Sequence, residues 1–314
     1  MHRLVFGCGY LGSRVARLWA DQGDSVTAVT RSLERAQAFA AHGWQPIVAD
    51  ISNEPELLEA LKGLESIDTV LFAVGYDRTS GRSIHDIYVE GLRHVLRALT
   101  AYTHSIRTFL YISSTGVYGQ TEGEWVDESF DCQPNREGGI ACLAAERLLQ
   151  ASCFGSRGII LRCAGLYGPG RLPYLRQIAA GEPIAVPAEG YLNLIHIDDA
   201  ANITVQAAQQ VPPPALFNVS DGQPVLRKAY YATLATLLNA PPPNFLSPAA
   251  LQAAASTASE ERAGSTRRAA RASADKRVAN ARLQQLLAPT LLYPNHSLGL
   301  AQVVALSQTS QSTP

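Results

Sequence analysis

The chain has 314 residues, 46% of them hydrophobic and 17% charged, with a formal net charge of −1. This is ordinary for a folded protein and long enough for one large domain or two lobes sharing a core. Near-neutral charge offers no electrostatic footprint for a polyanion, which argues against a nucleic-acid partner.

The chain opens with an apolar run of only Leu4 to Phe6, too short for a secretion signal, and no later run approaches a membrane span. A cytoplasmic protein without a membrane partner is expected. "RLVFG" reads as a strand, followed by a helical stripe of Val15, Leu18 and Trp19. "SVTAVT" is a second strand, and "LERAQAFAAHG" a helix ending on Gly43. "QPIVAD", "EPELLEALKGL" and "DTVLFAVG" continue as strand, helix, strand. The apolar positions from Ile84 to Leu99 predict one long amphipathic helix, and "TFLYISS" and "GIILRCAG" are further strands. Continuous apolar strands alternating with helices indicate an α/β fold of the Rossmann type, a doubly wound parallel sheet covered on both faces.

After "LYGPG" the rhythm changes. "PYLRQIAAGEP" reads as a helix, "LNLIHIDDAANITVQAAQQ" as a strand running into a helix, and "ALFNVSDG" as a strand and turn. Residues 250–276 are Ala-, Ser-, Glu- and Arg-rich with little periodicity, which suits a loose surface helix or loop. The expected organisation is a dinucleotide-binding domain over residues 1–165, rejoined by 191–222. A smaller C-terminal substrate lobe would comprise 166–190 and 223–300, with a frayed tail at 301–314. The five cysteines (Cys8, Cys132, Cys142, Cys153 and Cys163) form no CxxC pair and suit reduced thiols better than disulfides or zinc, so no metal is expected.

In "VFGCGYLG", Gly7, Gly9 and Gly12 have the GxGxxG spacing between the first strand and first helix. Glycine permits the tight turn and lets a pyrophosphate approach the helix N-terminus. Three glycines could serve a turn alone, but their position in the first βαβ unit favours dinucleotide binding. An NAD site usually offers an acid to the ribose about 20 residues further on. This chain has "VTRSLER", with Arg31, Ser32 and Arg35 and no acid at the strand end. Arginine and hydroxyl groups attract a 2′-phosphate that a carboxylate would repel, so NADP(H) is favoured over NAD. The bland alternative is that Arg31 caps the strand in solvent.

From Leu4 to about Gly299 the chain resembles the extended short-chain dehydrogenase/reductase family, also called the NAD-dependent epimerase/dehydratase family. "ADIS" is similar to the family's third-strand Asp-Ile, implying that Asp50 and Ile51 flank the adenine. "FAVG" stands at the loop under the cofactor ribose, implying Ala73, Val74 and Gly75. The glycine motif adds Gly7, Gly9, Tyr10, Leu11 and Gly12. "YISSTGVYG" resembles the fifth-strand signature and places the catalytic Ser/Thr on Ser114. "LRCAGLYGPG", "IHIDDAA" and "FNVSDG" resemble later landmarks. The family's catalytic Tyr and Lys lie on the helix after the fifth strand. The Ala-Glu of "LAAERLL" sets the register and places them at Gly138 and Cys142, where neither residue type is present. The Arg that grips diphosphate in nucleotide-sugar members corresponds to Leu192, which argues against such a substrate. The resemblance also raises a homodimer through the helices after the fourth and fifth strands.

Ser114 could hydrogen-bond a substrate oxygen but is a weak acid alone. Tyr118 is the second catalytic candidate, set against simple packing under the sheet edge, which is the preferred reading for Tyr167. Cys142 reads as a small buried thiol, His196 as structural and Asp198 as a helix cap. Glu137 is the one carboxylate at the right end of its helix. Arg262, Arg267, Arg268, Arg271, Lys276 and Arg277 either fold over the cleft to hold an anion or form a solvated face. The expectation is an NADP(H)-dependent oxidoreductase or epimerase acting on a small polar substrate with a non-standard acid/base. The alternative is a non-catalytic NADP(H)-binding redox sensor or scaffold.

Overall fold

The computed structural model describes residues 1–247, 249–251 and 274–311. Its first half alternates β1 (His2–Phe6), α1 (Gly12–Asp21), β2 (Ser25–Thr30), α2 (Leu33–Ala41), β3 (Gln45–Val48), α3 (Glu54–Leu61) and β4 (Thr69–Phe72). It continues with α4 (Gly91–Ala98), β5 (Thr108–Ser114), the short β6 (Glu124–Val126), α5 (Glu137–Ala151) and β7 (Gly158–Cys163). Later elements are β8 (Gly165–Tyr167), α6 (Leu175–Ala179), β9 (Tyr191–Leu192), β10 (Leu194–His196), α7 (Ile197–Gln210) and β11 (Ala215–Val219). The last are β12 (Val225–Leu226), α8 (Arg227–Leu237), β13 (Lys276–Val278), α9 (Ala281–Leu286) and α10 (His296–Gln311).

Seven strands form one parallel sheet in the order β11-β7-β5-β4-β1-β2-β3. The central strands are buried on both faces: β4 and β7 are buried along their whole length. Their continuous apolar runs are what a sheet sandwiched between helices requires. On one face Val15, Ala16 and Trp19 of α1, Phe39 of α2 and Ile203 of α7 form a core. On the other, Leu57 of α3, Leu92 and Val95 of α4 and Ala145 and Leu149 of α5 form a second. Order reverses between β1 and β4, so the loops after these two strands open a crevice at the carboxyl edge.

A smaller cluster outside the sheet gathers Ile178 of α6, Leu194 of β10, Tyr230, Tyr231 and Leu234 of α8, and Leu300 and Val304 of α10. Of the tail expected to fray at 301–314, residues up to 311 continue the helix that starts at His296, with Leu300, Val303 and Val304 buried, and 312–314 lie outside the described residues. The helix expected over 84–99 is also divided. A π-helical turn at Asp86–Glu90 precedes α4, and a 3₁₀ turn follows at Leu99–Tyr102. Where the π turn ends, the backbone of Gly91 passes so close to Ile51 that a Cβ would lie 2.7 Å from its Cδ1. Of residues 250–276, positions 252–273 lie outside the described residues, and so do Arg262, Arg267, Arg268 and Arg271. Lys276 begins β13, which pairs in parallel with β6. Among the described residues no helix is long and apolar enough to cross a membrane.

Candidate functional site

The glycine loop is shaped by close backbone approaches. Gly7 has φ +87°, and a Cβ there would lie 2.5 Å from the Ala73 carbonyl carbon and the Val74 nitrogen. A Cβ on Gly12 would meet the Gly7 oxygen at 2.2 Å. Both positions require glycine. Gly9 differs, since nothing stands within 4 Å of the place its Cβ would take. Around this open space the amides of Tyr10, Leu11 and Gly12 have no protein acceptor among the described residues, and Leu11 caps α1 without a side-chain hydrogen bond. Unpaired amides at a helix start, facing an open glycine, are the chemistry that a pyrophosphate needs. The chain's residues fit a dinucleotide.

The other expected cofactor residues border the same edge. Tyr10 is half-buried between the guanidinium groups of Arg14 and Arg171, 4.7 and 5.2 Å from its ring centre. Gly75 is exposed, with Ala73 and Val74 partly covered behind it. Asp50 accepts hydrogen bonds from the Ser52 amide at 2.9 Å and from the Ser52 hydroxyl, while Ile51 is buried. The half-buried Asp50 carboxyl sits below its ordinary value: burial pushes it up, but the bonds from Ser52 and the charges of Arg82 and Arg31 outweigh that. Ser32 is the N-cap of α2 and accepts from the Arg35 amide at 3.2 Å. The Arg35 guanidinium reaches back to the Cys8 carbonyl. Arg31 is exposed and pairs with Asp77 at 3.1 Å.

The fifth strand delivers Ser114 to the carboxyl edge. Its Oγ accepts from the Gly116 amide at 3.0 Å and so caps the 3₁₀ turn Thr115–Val117. The first turn of α5 packs directly on this turn. A Cβ on Gly139 would lie 2.1 Å from the Gly116 oxygen, whereas one on Gly138 would meet only Ile84 Cδ1, at 3.5 Å. Cys142, one turn further on, is buried, and burial together with the nearby Glu146 pushes its thiol up to about 12. It is no thiolate at neutral pH.

Tyr118 is not placed to act on a substrate, which corrects its candidacy. It is 1% exposed. Its hydroxyl donates to Asn218 Oδ1 and accepts from Arg162 Nη1, both at 2.9 Å. Arg162 is in turn bound by Glu146 through two parallel contacts, Nε to Oε1 at 3.0 Å and Nη2 to Oε2 at 2.7 Å, and Ser113 donates to the same carboxylate. Burial raises the Tyr118 hydroxyl to about 12 despite the opposing Arg162. The chain thus has a buried Ser113–Glu146–Arg162–Tyr118–Asn218 network linking α5, β7 and β11. Glu146 was legible as a register mark and Arg162 lay within the landmark "LRCAGLYGPG", but nothing in the sequence joined the two as partners.

Tyr167 is buried with no partner for its hydroxyl among the described residues, and His196 is fully buried. His196, not Asp198, caps α7: its Nδ1 accepts from the Asp198 amide at 3.3 Å. Asp198 pairs instead with Arg14 at 2.9 Å, tying α7 to α1. Lys276, expected on a solvated face or a closing cluster, is buried and donates to the Tyr118 carbonyl. Arg277 lies 5.1 Å from the Trp125 ring centre and 5.2 Å from that of Tyr191.

The model of the NAD dependent epimerase/dehydratase family matches residues 4–220, and the chain belongs to that family. It is 27% identical over 244 residues to Protein YeeZ of Escherichia coli K12, an alignment covering 77% of this chain and 85% of the relative. It is 26% identical over 240 residues to a 4-hydroxy-2-methyl-3-oxo-4-farnesyl-3,4-dihydroquinoline-1-oxide ketoreductase of Stigmatella aurantiaca, covering 73% and 70% of the two chains. The solved UDP-glucose 4-epimerase of Thermotoga maritima superposes with a TM-score of 0.79 over 99% of this chain and 100% of its own, at 17% identity, a likeness of fold.

Proposed function

We propose that the protein is an NADP(H)-dependent oxidoreductase of this family, acting on a small polar carbonyl or hydroxyl compound with a non-standard proton source. The observation that carries the nucleotide reading is the open space at Gly9 bordered by the unpaired amides of Tyr10, Leu11 and Gly12. The phosphate preference rests on Arg31, Ser32 and Arg35 at the amino end of α2, whose dipole also favours an anion. The one acid of that turn, Glu34, lies exposed in the first helical turn rather than at the strand end. Arg31 exchanges an exposed Asp77 for a 2′-phosphate at little cost, because surface ion pairs contribute about 0–1 kcal/mol.

When bound, the nicotinamide nucleotide supplies or takes up a hydride at the substrate carbon. Ser114 has its acceptor side engaged by the Gly116 amide, which leaves its proton for a substrate oxygen. The Glu146–Arg162 pair holds α5 against β7 and so fixes the wall beside Ser114. A ketoreductase among the relatives is consistent with carbonyl reduction. Glycine at 138 and a buried thiol at 142 favour a second reading, a non-catalytic nucleotide sensor.

Binding titrations of NADPH, NADP⁺ and NADH decide between them. NADPH is expected to bind at least about tenfold more tightly than NADH, the worth of one charge-assisted phosphate contact. Similar NADPH and NADP⁺ affinities support the enzyme, since a turnover cycle accepts and releases both. A large ratio between them supports the sensor, which responds only through differential binding. Equal NADPH and NADH affinities sink the phosphate reading.

A further inference from the structure

Between α1 and α2 lies a cleft of about 440 Å³ that neither the glycine loop nor the Ser114 turn accounts for. Its two sides differ in kind. Ser13, Arg14 and Arg17 come from α1 and make that side cationic. Phe39, His42 and Trp44 come from α2 and the turn after it, and their rings stand in a row. The Phe39 and Trp44 ring centres are 5.5 Å apart with the planes inclined at 38°, and those of His42 and Trp44 are 5.4 Å apart at 43°. Phe39 and Trp44 are buried and present only part of their rings to the cleft, whereas His42 is exposed at its rim.

The two arginines are engaged differently. Arg14 donates to Asp198 at 2.9 Å and to the Tyr10 carbonyl at 2.8 Å, so its charge is balanced. Arg17 is exposed, and its guanidinium forms no hydrogen bond or ion pair among the described residues. No residue lining the cleft is acidic. One uncompensated positive charge therefore shares a cleft with three aromatic rings. A guanidinium offers a planar fork that matches a carboxylate or phosphate, and ring surface favours a flat apolar partner. The volume is in the range that holds a small organic ligand.

We propose that this cleft binds a planar ring compound carrying one anionic group, a carboxylate or a phosphate, with Arg17 on the anion and the ring against Phe39, His42 and Trp44. The cleft shares no lining residue with the Ser114 turn, so the compound is a second ligand and not the substrate. It lies beside the nucleotide residues without occupying them. Ser13 Oγ donates to the Gly9 carbonyl at 2.6 Å, and the Arg35 guanidinium stands 5.5 Å from the Phe39 ring centre. Neither contact is needed to hold the ring or the anion, so the proposal stands apart from the nucleotide reading.

The test is calorimetric titration of the full chain, without nucleotide and at fixed ionic strength, with 1-naphthoate and 1-naphthyl phosphate as probes. Neutral 1-naphthalenemethanol and ring-free acetate serve as comparisons. Wild type is set against Arg17→Gln and His42→Ala, and against Arg31→Gln at the phosphate-preferring turn. One-site binding of a ring anion is expected, at least about tenfold tighter than of either comparison compound. Arg17→Gln should weaken it at least about tenfold, His42→Ala should weaken it as well, and Arg31→Gln should leave it unchanged. Binding of naphthoate alone assigns a carboxylate, and of naphthyl phosphate alone a phosphoryl group. A probe weakened by Arg31→Gln but not by Arg17→Gln sits at the nucleotide turn and counts against the proposal. So do equal affinity for the neutral ring and failure of both anions to bind wild type. Near-ultraviolet circular dichroism checks that each variant is folded, and if Arg17→Gln is not, His42→Ala decides. NADPH titration is separate, so the nucleotide reading and this cleft can fail independently.

Discussion

Gly138 and Gly139 are neighbours in the first turn of α5, but the fold needs only one of them. At Gly139 any Cβ would be driven to 2.1 Å from the Gly116 oxygen, so the helix start and the Ser114 turn could no longer touch. At Gly138 the same atom finds ordinary contact with Ile84 at 3.5 Å. Gly139→Ala is therefore expected to cost about 1–3 kcal/mol, as overpacking does, whereas Gly138→Ala should gain about 0.4–1 kcal/mol from helix propensity and reduced unfolded-state entropy. Urea unfolding of the two variants checks the pair, and equal effects would refute the distinction. This is also where the sequence reads least completely. The glycines and the missing Tyr and Lys were visible in "REGGIACLAAERLL", but which glycine makes the close approach depends on a loop more than twenty residues away. Tyr118 shows the same limit: its place in "YISSTGVYG" put it at the cleft edge, but Arg162 and Asn218, on two other strands, hold its hydroxyl inside. Lys276, whose charge run suited either a solvated face or a cluster folding over the cleft, is buried where β13 pairs with β6.

At the scale of elements, β11 ends in a buried turn that makes stability depend on pH. Asp221 follows that strand, accepts from the Gln223 amide at 2.9 Å through Oδ1, and has Oδ2 buried without a partner among the described residues. Burial, aided by repulsion from Asp199, raises its carboxyl to about 7. A raised folded-state value means that the folded protein holds the proton more tightly than the unfolded chain. The stabilisation is complete below the unfolded value near 4 and is lost as pH rises through about 7. Asp221→Asn keeps the acceptor and removes the ionisation. The stability of wild type relative to this variant should therefore fall by on the order of 3 kcal/mol between pH 4 and pH 7.5. Chemical denaturation across that range measures it, and a pH-independent difference would show that Asp221 ionises normally. Element types were largely legible because apolar runs and helical stripes are local signals. Element interruptions were not. The apolar stripe from Ile84 to Leu99 continues across the π turn that precedes Gly91, so periodicity alone could not reveal the break.

The whole molecule joins a large sheet, with a core on each face, to a small lobe with one apolar cluster of its own. The alternation of strands and helices announced the parallel sheet, and the glycine motif after β1 marked the crevice where strand order reverses. The closing of the small lobe was hidden. The α10 sequence "HSLGLAQVVALSQTSQ" mixes apolar and polar residues without a sharp stripe, so its ordered packing could not be separated from fraying. In the fold, Leu300 is fully buried against the lobe, and a Cβ on the neighbouring Gly299 would collide with the Tyr167 ring and hydroxyl. Leu300→Ala removes a buried side chain where β10, α8 and α10 meet and is expected to cost about 2–5 kcal/mol. The glycine loop, α1 and α2 lie on the far larger sheet and do not share this cluster, so NADPH affinity should change by less than about twofold while the lobe loosens. Thermal unfolding and NADPH titration of the same variant test both halves. Loss of stability with intact nucleotide binding fits a lobe that closes over a separately built crevice, whereas equal loss of both would mean that the lobe is part of the nucleotide site.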